Sequence, residues 1–315
     1  MGWMHDFLEY MKLDPYFRRD NHNKMTFGLT YFTSENYVLV LSHDEVVHLK
    51  CSMINKMPGI YEDKFSNLKC GYSYMIGHPG KKLLFMGQEF AQWHEWDEKV
   101  SLNWELLNEA PHRDIQNFVR GLLQLYRSHP ALYRLDNDWQ GFEWINADDA
   151  DRSIFSFLRR DESRKKSLLF VINFTPVARE DYRVGVPHAG SYRLILDEHE
   201  GLYTLQKKRA VSYRAKPGEC DQRPFYLEAP LPAYGVRIFE FDETKKPAAK
   251  KPAAKKPVGS KKAATEKVTG AKKTAAKKAT GTKKPATEKA ARKKTAAKKT
   301  QGSRSASKKT ASSAE

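Results

Sequence analysis

The sequence is poor in the features that mark secreted and membrane proteins. Its 315 residues include only three cysteines, Cys51, Cys70 and Cys220, and their spacing has no paired pattern. No run approaches the 18 apolar residues that a membrane-spanning helix needs. Asp6 and Glu9 stand where a signal peptide would be apolar. We therefore expect a reduced, cytoplasmic protein that does not enter a membrane.

Acidic residues are scarce in one region only, the basic tail (residues 245–315). The basic tail holds 24 of the 55 Lys and Arg residues but 3 of the 38 Asp and Glu residues, a balance of +21. The remaining 31 basic and 35 acidic residues give residues 1–244 a balance of −4, although the whole chain carries +17. The positive charge therefore belongs to an appendage and does not indicate a nucleic-acid-binding fold in the body.

The basic tail also lacks aromatic residues, Leu, Ile and Met, and it repeats Lys-Lys-Pro-Ala-Ala and Ala-Lys-Lys-Thr units. Such a composition cannot bury a core, so we expect residues 244–315 to be disordered. In composition alone the basic tail resembles the arms of linker-histone-like proteins. It predicts non-specific binding to nucleic acid or another polyanion through charge.

In the body, the stretch VLVLSHDEVVH (38–48) runs from an apolar segment into titratable residues. A zinc-binding helix needs its two histidines four residues apart, so that both lie on one face. His43 and His48 are five apart, roughly 140° around a helix, and the two valines between them favour strand or loop. Two interpretations are left, a catalytic strand end and a plain surface loop.

Two strands around a helix are predicted next. Tyr37–Leu41 and Leu83–Met86 are apolar without alternation, as in strands buried on both faces, and Glu62–Ile76 between them has helical spacing. This βαβ order makes the strands parallel. Polar residues follow both strands, at the end where α/β enzymes place their chemistry. Helical spacing also predicts helices over Met1–Lys12 and Asp114–Ser128.

After Pro130 the apolar period shortens to that of strands. Short runs between turn residues predict an antiparallel β-sandwich of about a hundred residues. The predicted strands are Gly141–Ile145, Ser153–Arg159, Leu168–Phe174, Tyr182–Val186, Tyr192–Leu196, Phe225–Leu227 and Gly235–Phe241. We therefore divide the chain into 1–130, an all-β domain over 131–243, and a disordered region over 244–315.

Six segments together resemble the C-terminal part of bacterial glycogen branching enzymes, members of the α-amylase superfamily. They are Gly2-Trp3-Met4-His5-Asp6, LSHDEVVH (41–48), HPGKKLLFMGQEFAQW (78–93), SLNW (101–104), GFEW (141–144) and NFTPVAREDYRVGVP (173–187). The resemblance runs from Met1 to about Phe241. It implies that residues 1–130 are the last two strands and helices of a (β/α)₈ barrel, followed by the β-sandwich.

The resemblance also implies an activity and a site. The reaction would be 1,4-α-glucan branching, in which an α-1,4 bond is cleaved and an α-1,6 bond is formed, without cofactor or metal. Asp44 matches the aspartate that stabilises the transition state, and His43 matches a histidine that binds the same sugar. The family's nucleophile and acid/base lie on the fourth and fifth barrel strands, which this sequence does not contain. Leu49 stands where the family usually has glycine. We therefore expect the chain alone to be inactive.

Alternatives are left open at the site. Glu89 follows the second strand, so Asp44 and Glu89 together form a rival catalytic pair at adjacent strand ends. Three tryptophans, Trp93, Trp96 and Trp104, fit either stacking on sugars or packing in the core. The rival function is a non-catalytic binding protein whose basic tail holds nucleic acid or another polyanion.

Overall fold

The structure, a computed structural model, describes residues 2–197, 202–203 and 211–244. The chain divides into two compact units, Met1–Lys251 and Pro252–Glu315, and all described residues lie in the first. The predicted disorder of the basic tail concerns residues outside the described ones. No described helix is long and apolar enough to cross a membrane.

The described helices lie in the first half of the chain, as the apolar spacing predicts. The α-helices are α1 (Gly2–Lys12), α2 (Pro15–Arg18), α3 (Asn23–Thr26), α4 (Tyr61–Gly77) and α5 (Ala110–Ser128). Short 3₁₀ turns cover Arg19–Asn21, Phe27–Thr30, His43–Glu45, Gln88–Phe90, Trp104–Asn108, Pro130–Leu132 and Trp139–Gly141. In α1 the apolar residues Trp3, Phe7, Leu8 and Met11, which recur at helical spacing, are all buried.

The predicted βαβ unit is present. Strands β1 (Val38–Leu41) and β2 (Lys81–Leu84) pair in parallel, and α4 connects them. Their register places Val38 opposite Lys81 and Leu41 opposite Leu84. The carboxyl ends of the two strands are therefore level, and the residues that follow them leave the sheet at the same edge.

Two details of the predicted strands are wrong. Strand β2 begins at Lys81, two residues before the predicted start. Lys81 and Lys82 can lie in the strand because their ammonium groups bind to residues outside the sheet. Lys81 Nζ lies 2.7 Å from Asp136 Oδ2, and Lys82 Nζ donates to the carbonyl of Gly80. The strands are also not buried on both faces. Val38 is 51% exposed and Leu83 is 43% exposed, because the pair has no third described strand beside it.

Ten short strands follow among the described residues, three more than the sequence predicts. They are β3 (Phe142–Asn146), β4 (Ile154–Arg159), β5 (Ser167–Asn173), β6 (Arg179–Val186), β7 (Ser191–Asp197), β8 (Leu202–Tyr203), β9 (Ser212–Arg214), β10 (Lys216–Cys220), β11 (Arg223–Leu231) and β12 (Val236–Phe241). The missed strands are β8, β9 and β10. β9 and β10 are polar, and β10 contains Pro217 and Gly218, which argue against a strand in a sequence pattern.

The strands form two antiparallel sheets. The larger sheet has the order β3-β4-β5-β12-β7-β8, with β9 also paired to β7, and the smaller has the order β10-β11-β6. Strands β4 and β5 lie in the middle of the larger sheet and are buried along their whole length. Successive side chains of a strand point to opposite faces, so these two strands must have a core on each side.

The two cores are different. On one face, Leu158, Leu169 and Val171 pack in the cluster that also contains Val184 and Leu227 of the smaller sheet. On the other face, the larger sheet packs on the helices. That second cluster unites residues of α1 and α4 with residues of the large sheet, among them Phe7, Leu68, Tyr74, Phe155, Phe157, Phe170 and Ile172. The helical part and the all-β part therefore share one core.

Two buried arginines bridge these parts. Arg18 Nη1 donates to the carbonyl of Phe174 at 2.7 Å and to Asn67 Oδ1 at 3.1 Å. Arg159 Nη1 donates to the carbonyl of Gly77 at 2.7 Å, where α4 ends, and its Nη2 lies 3.0 Å from Asp136. Buried charges need such partners, so both contacts fix the position of α4 on the large sheet.

Candidate functional site

The candidate site begins where β1 ends. Ser42 has an extended backbone and caps the 3₁₀ turn His43–Glu45 by accepting the backbone N–H of Asp44 at 3.3 Å. A short polar side chain that bonds the backbone two residues ahead favours a turn over a continued strand. The turn directs His43 and Asp44 out of the sheet at the level of its carboxyl edge.

The structure places His43 and Asp44 side by side. His43 Nε2 lies 3.4 Å from Asp44 Oδ1, and the Ser42 hydroxyl donates to Asp44 Oδ2 at 2.8 Å. The Asp44 side chain is 48% exposed and that of His43 is 51% exposed. A carboxylate held by a hydroxyl and an imidazole, yet open to solvent, can accept hydrogen bonds from a polar ligand or stabilise a nearby positive charge.

Two aromatic rings support the imidazole. The ring centroid of His43 lies 5.5 Å from that of Phe85, the residue that directly follows β2. It lies 6.0 Å from the ring centroid of Trp96. Phe85 and Trp96 contact each other edge to face at 5.2 Å. The Phe85 N–H donates to the carbonyl of Leu41 at 3.1 Å, which continues the pairing of the two strand ends. His43 therefore rests on residues from the second strand end.

Behind the turn, Glu45 is buried and anchors it. Its Oε1 lies 3.1 Å from Lys50 Nζ and 3.7 Å from His5 Nδ1 of α1. Lys50 Nζ also donates to the backbone carbonyl of Asp44 at 2.7 Å. Sequence reasoning missed Phe85 because it lies far from His43 in the sequence. It missed Lys50 because a lone lysine after the turn is not a recognisable motif. It also missed Ser42, although a serine two residues before an aspartate is a turn signal.

The other predicted residues lie around this centre with different roles. Glu89 is half-buried, and its charge adds to the effect of burial in raising the pKa of Tyr72 on α4. Trp93 packs against Phe65 at 6.1 Å, edge to face, and Trp104 is half exposed beside Phe90 at 5.2 Å. Of the three tryptophans, Trp96 is the one whose ring contacts His43.

Leu49 explains why a glycine suits its position. The φ of Leu49 is +67°, in the left-handed region that favours glycine. In the same loop, His48 and Cys51 have φ of +57° and +70°. The exposed His48 lies on this loop and not on a helix. Among the described residues, no group of three or more His, Cys, Asp or Glu side chains is arranged to hold a metal ion.

An apolar cleft of about 280 Å³ lies along the free edge of β1 and is separate from this centre. It is lined by Trp3, Phe27, Tyr37 and Val38 among others, but by neither His43 nor Asp44. In the described residues, the His43–Asp44 pair is thus an open surface and not an enclosed pocket.

The β-sandwich is similar to a known domain family. Residues 144–242 match the family model of the alpha-amylase C-terminal all-beta domain. This range covers most of the two antiparallel sheets and confirms the predicted all-β domain. Over these residues the chain is similar to that domain family.

Branching enzymes are similar to most of the chain. It is 54% identical over 247 residues to the 1,4-alpha-glucan branching enzyme GlgB of Butyrivibrio fibrisolvens, covering 78% of this chain and 38% of that protein. The 1,4-alpha-glucan branching enzyme GlgB of Thermosynechococcus vestitus is 45% identical over 246 residues, which cover 78% of this chain and 32% of that protein. The chain therefore spans less than two fifths of the length of these relatives. Their names confirm the resemblance found in the sequence.

Two solved structures of carbohydrate-acting enzymes, an α-amylase and a pullulanase, share the fold. The α-amylase from Anoxybacillus is 15% identical, with a TM-score of 0.50, over 77% of this chain and 46% of that chain. The type I pullulanase from Bacillus subtilis is 13% identical, with a TM-score of 0.50, over 71% of this chain and 31% of that chain. At this identity the comparison shows a common fold alone.

Proposed function

We propose that this chain forms the C-terminal part of a 1,4-α-glucan branching enzyme. In this proposal residues 1–130 are the last two strands and helices of a (β/α)₈ barrel, and residues 131–243 are the C-terminal sandwich. Support comes from the parallel pair β1 and β2 with α4 between them. Further support comes from relatives up to 54% identical that are named 1,4-alpha-glucan branching enzymes.

The proposal rests on one observation. The His43–Asp44 pair lies where the parallel strands β1 and β2 end side by side, at their carboxyl ends. Active sites of β/α barrels lie at this edge, built by residues from the ends of several strands. Asp44 is open to solvent on one side and held by Ser42 on the other. It is thus both fixed and accessible to a sugar.

In the proposed reaction Asp44 acts through its charge. Cleavage of an α-1,4 bond passes through an oxocarbenium-like transition state, whose positive charge a fixed carboxylate stabilises. His43 would donate to a hydroxyl of the same sugar. The enzyme then transfers the cleaved α-1,4-glucan to a 6-hydroxyl. The nucleophile that holds the glucan and the acid that protonates the leaving oxygen are not among the residues of this chain.

The first experiment therefore compares two proteins. The chain of residues 1–315, incubated with amylose, should neither branch nor hydrolyse it, because Asp44 can only stabilise a charge that other groups create. The same chain fused behind the N-terminal portion of the Butyrivibrio fibrisolvens relative should gain branching activity. Branching by residues 1–315 alone, lost in both Asp44→Asn and Glu89→Gln, would instead support the rival pair of carboxylates.

We propose as a second function that the basic tail binds polyanions. The supporting observation is its balance of +21 against −4 in residues 1–244. Without aromatic residues to stack on bases, binding should depend on charge alone.

DNA binding by the tail should be independent of base sequence, and log K should fall nearly linearly with log[salt]. Deleting residues 245–315 should abolish it. Binding that persists near 1 M salt, or that survives the deletion, would contradict this second proposal.

A further inference from the structure

The loop after the His43–Asp44 turn has a costly backbone. His48, Leu49 and Cys51 all have positive φ, and each such non-glycine residue costs roughly 1 kcal/mol or more. Conformations of this kind persist only where their surroundings hold them. The side chains of His48 and Leu49 are exposed, so core packing does not hold these two residues. Hydrogen bonds must do so.

One carboxylate supplies two of these bonds. Glu95 Oε2 accepts the backbone N–H of Leu49 at 2.9 Å, and Glu95 Oε1 accepts that of Cys51 at 2.6 Å. The next residue adds a third bond, because the Trp96 N–H donates to the carbonyl of Val46 at 2.9 Å. Bonds from amides to an ionised carboxylate are stronger than neutral ones. The Glu95-Trp96 dipeptide therefore holds the loop at three points.

These bonds flank Lys50, and Lys50 reaches back to the candidate site. With Leu49 and Cys51 both held by Glu95, the backbone of Lys50 is fixed from both sides. Its carbonyl also accepts a bond from the buried Lys56 Nζ. Its own Nζ then donates to the carbonyl of Asp44 at 2.7 Å. Glu95 is thus linked to the backbone of Asp44 by hydrogen bonds at both ends of a short peptide segment, Leu49–Cys51, whose middle residue is Lys50.

The same dipeptide supports His43. Trp96 contacts the His43 ring directly and packs against Phe85, so that its neighbour Glu95 fixes the loop while Trp96 fixes the imidazole. Although Glu95 lies 51 positions after Asp44 in the sequence, it is connected to it through the Leu49–Cys51 backbone and the Lys50 side chain. We propose that Glu95 is a positioning residue, which holds the 46–51 loop so that Asp44 keeps its place beside His43.

The structural part of this proposal can be tested on the chain of residues 1–315. Hydrogen exchange at the amides of Leu49 and Cys51 should be faster in Glu95→Ala by at least about tenfold, because both acceptors are lost. Glu95→Gln keeps one carbonyl acceptor, so one of the two amides should stay protected. The matched control is Glu98→Ala, which removes an exposed carboxylate of the same segment without a hydrogen bond or ion pair to a described residue.

The catalytic part rests on the proposed function and uses the chain fused to the N-terminal portion of the relative. There Glu95→Ala should lower kcat by about tenfold or more and change KM little, because the substrate contacts are kept while the charge is misplaced. Glu95→Gln should recover part of the rate. Glu98→Ala should behave as the unsubstituted fusion.

The outcomes separate the two claims. Unchanged exchange at Leu49 and Cys51 in Glu95→Ala would contradict the claim that Glu95 holds the 46–51 loop. An unchanged kcat despite faster exchange would contradict the claim that Glu95 matters for catalysis. If the unsubstituted fusion does not branch amylose, the proposed function fails, and the exchange experiment still decides whether Glu95 holds the loop.

Discussion

Leu49 shows at the scale of one residue how the site loop departs from ordinary sequence preference. Its side chain is 96% exposed, and its φ of +67° is one that a leucine adopts at a cost. The resemblance to branching enzymes implies glycine at this position, and the structure supplies the physical reason. The cost must be offset by the bonds that Glu95 makes on either side of Lys50.

A pair of substitutions measures this cost. Leu49→Gly removes the clash of Cβ with the backbone, while Leu49→Val retains it and adds a second branch at Cβ. The free energy of unfolding should be higher for the glycine variant than for the valine variant by about 1 kcal/mol, after the greater flexibility of unfolded glycine is included. Urea titrations of the two variants measure the difference. Equal stability would mean that the loop relaxes to another conformation.

Glu240 gives a pH dependence whose sign follows from its partners. The hydrogen bond with His129, helped by Arg193 and opposed by burial, lowers the pKa of Glu240 from 4.5 to about 2. The ionised carboxylate therefore stabilises the fold fully above pH 4.5. This contribution is lost as the pH falls from about 4.5 to about 2, where the folded protein must also take up the proton.

The test compares the protein with Glu240→Gln between pH 5 and pH 2. Across this range the unsubstituted protein should lose about 2 kcal/mol more unfolding free energy than the variant. The neutral amide has no proton to take up, so the variant should start lower and fall less. Parallel pH profiles for the two proteins would show that Glu240 is not the group responsible.

At the scale of elements, α4 depends on a glycine at its C-terminal end. A Cβ on Gly77 would lie 2.7 Å from Phe157 Cζ and 2.9 Å from Phe170 Cδ1, and these two rings are stacked at 4.9 Å in the shared core. Glycine here allows the helix to approach the large sheet closely. The same approach brings the Gly77 carbonyl to Arg159.

Alanine substitutions in α4 test this packing. Gly77→Ala should destabilise the protein by about 1 to 3 kcal/mol, because stacked, buried rings cannot move aside without strain. The control is Gly71→Ala in the same helix, where the added methyl group meets Met11 Cε and Phe7 Cζ at 3.0 Å. Methionine is flexible, and alanine favours the helix interior, so this change should cost less than about 1 kcal/mol. A smaller loss for Gly77→Ala than for Gly71→Ala would contradict the packing.

The elements also show what sequence patterns could and could not predict. Helix α4 was predictable because its apolar residues recur at helical spacing, and strand β5 because it is a short apolar run between turn residues. The start of β2 was not, because Lys81 and Lys82 satisfy their charges outside the sheet. At the site, His43 and Asp44 are a recognisable motif. Glu95 and Phe85 are not, because their roles depend on contacts between residues more than forty positions apart.

At the scale of the whole molecule, the helical part and the all-β part share a core within one compact unit. Phe155, Phe157 and Phe170 of the large sheet pack on α1 and α4, so the sheet helps to position the helix between the two parallel strands. The proposed division at residue 130 therefore separates parts that depend on each other. The C-terminal sandwich would support the candidate site through α4 without contributing a side chain to it.

We propose that Asp44 serves glycosyl transfer through its negative charge. The most direct measurement compares branching of amylose by the fused enzyme with and without Asp44→Asn. Asparagine keeps the shape of the side chain but removes its charge, which acts mainly in the transition state. We predict that kcat falls by about 10²- to 10³-fold while KM changes little. An Asp44→Asn enzyme that branches amylose at the rate of the unsubstituted fusion would contradict the account.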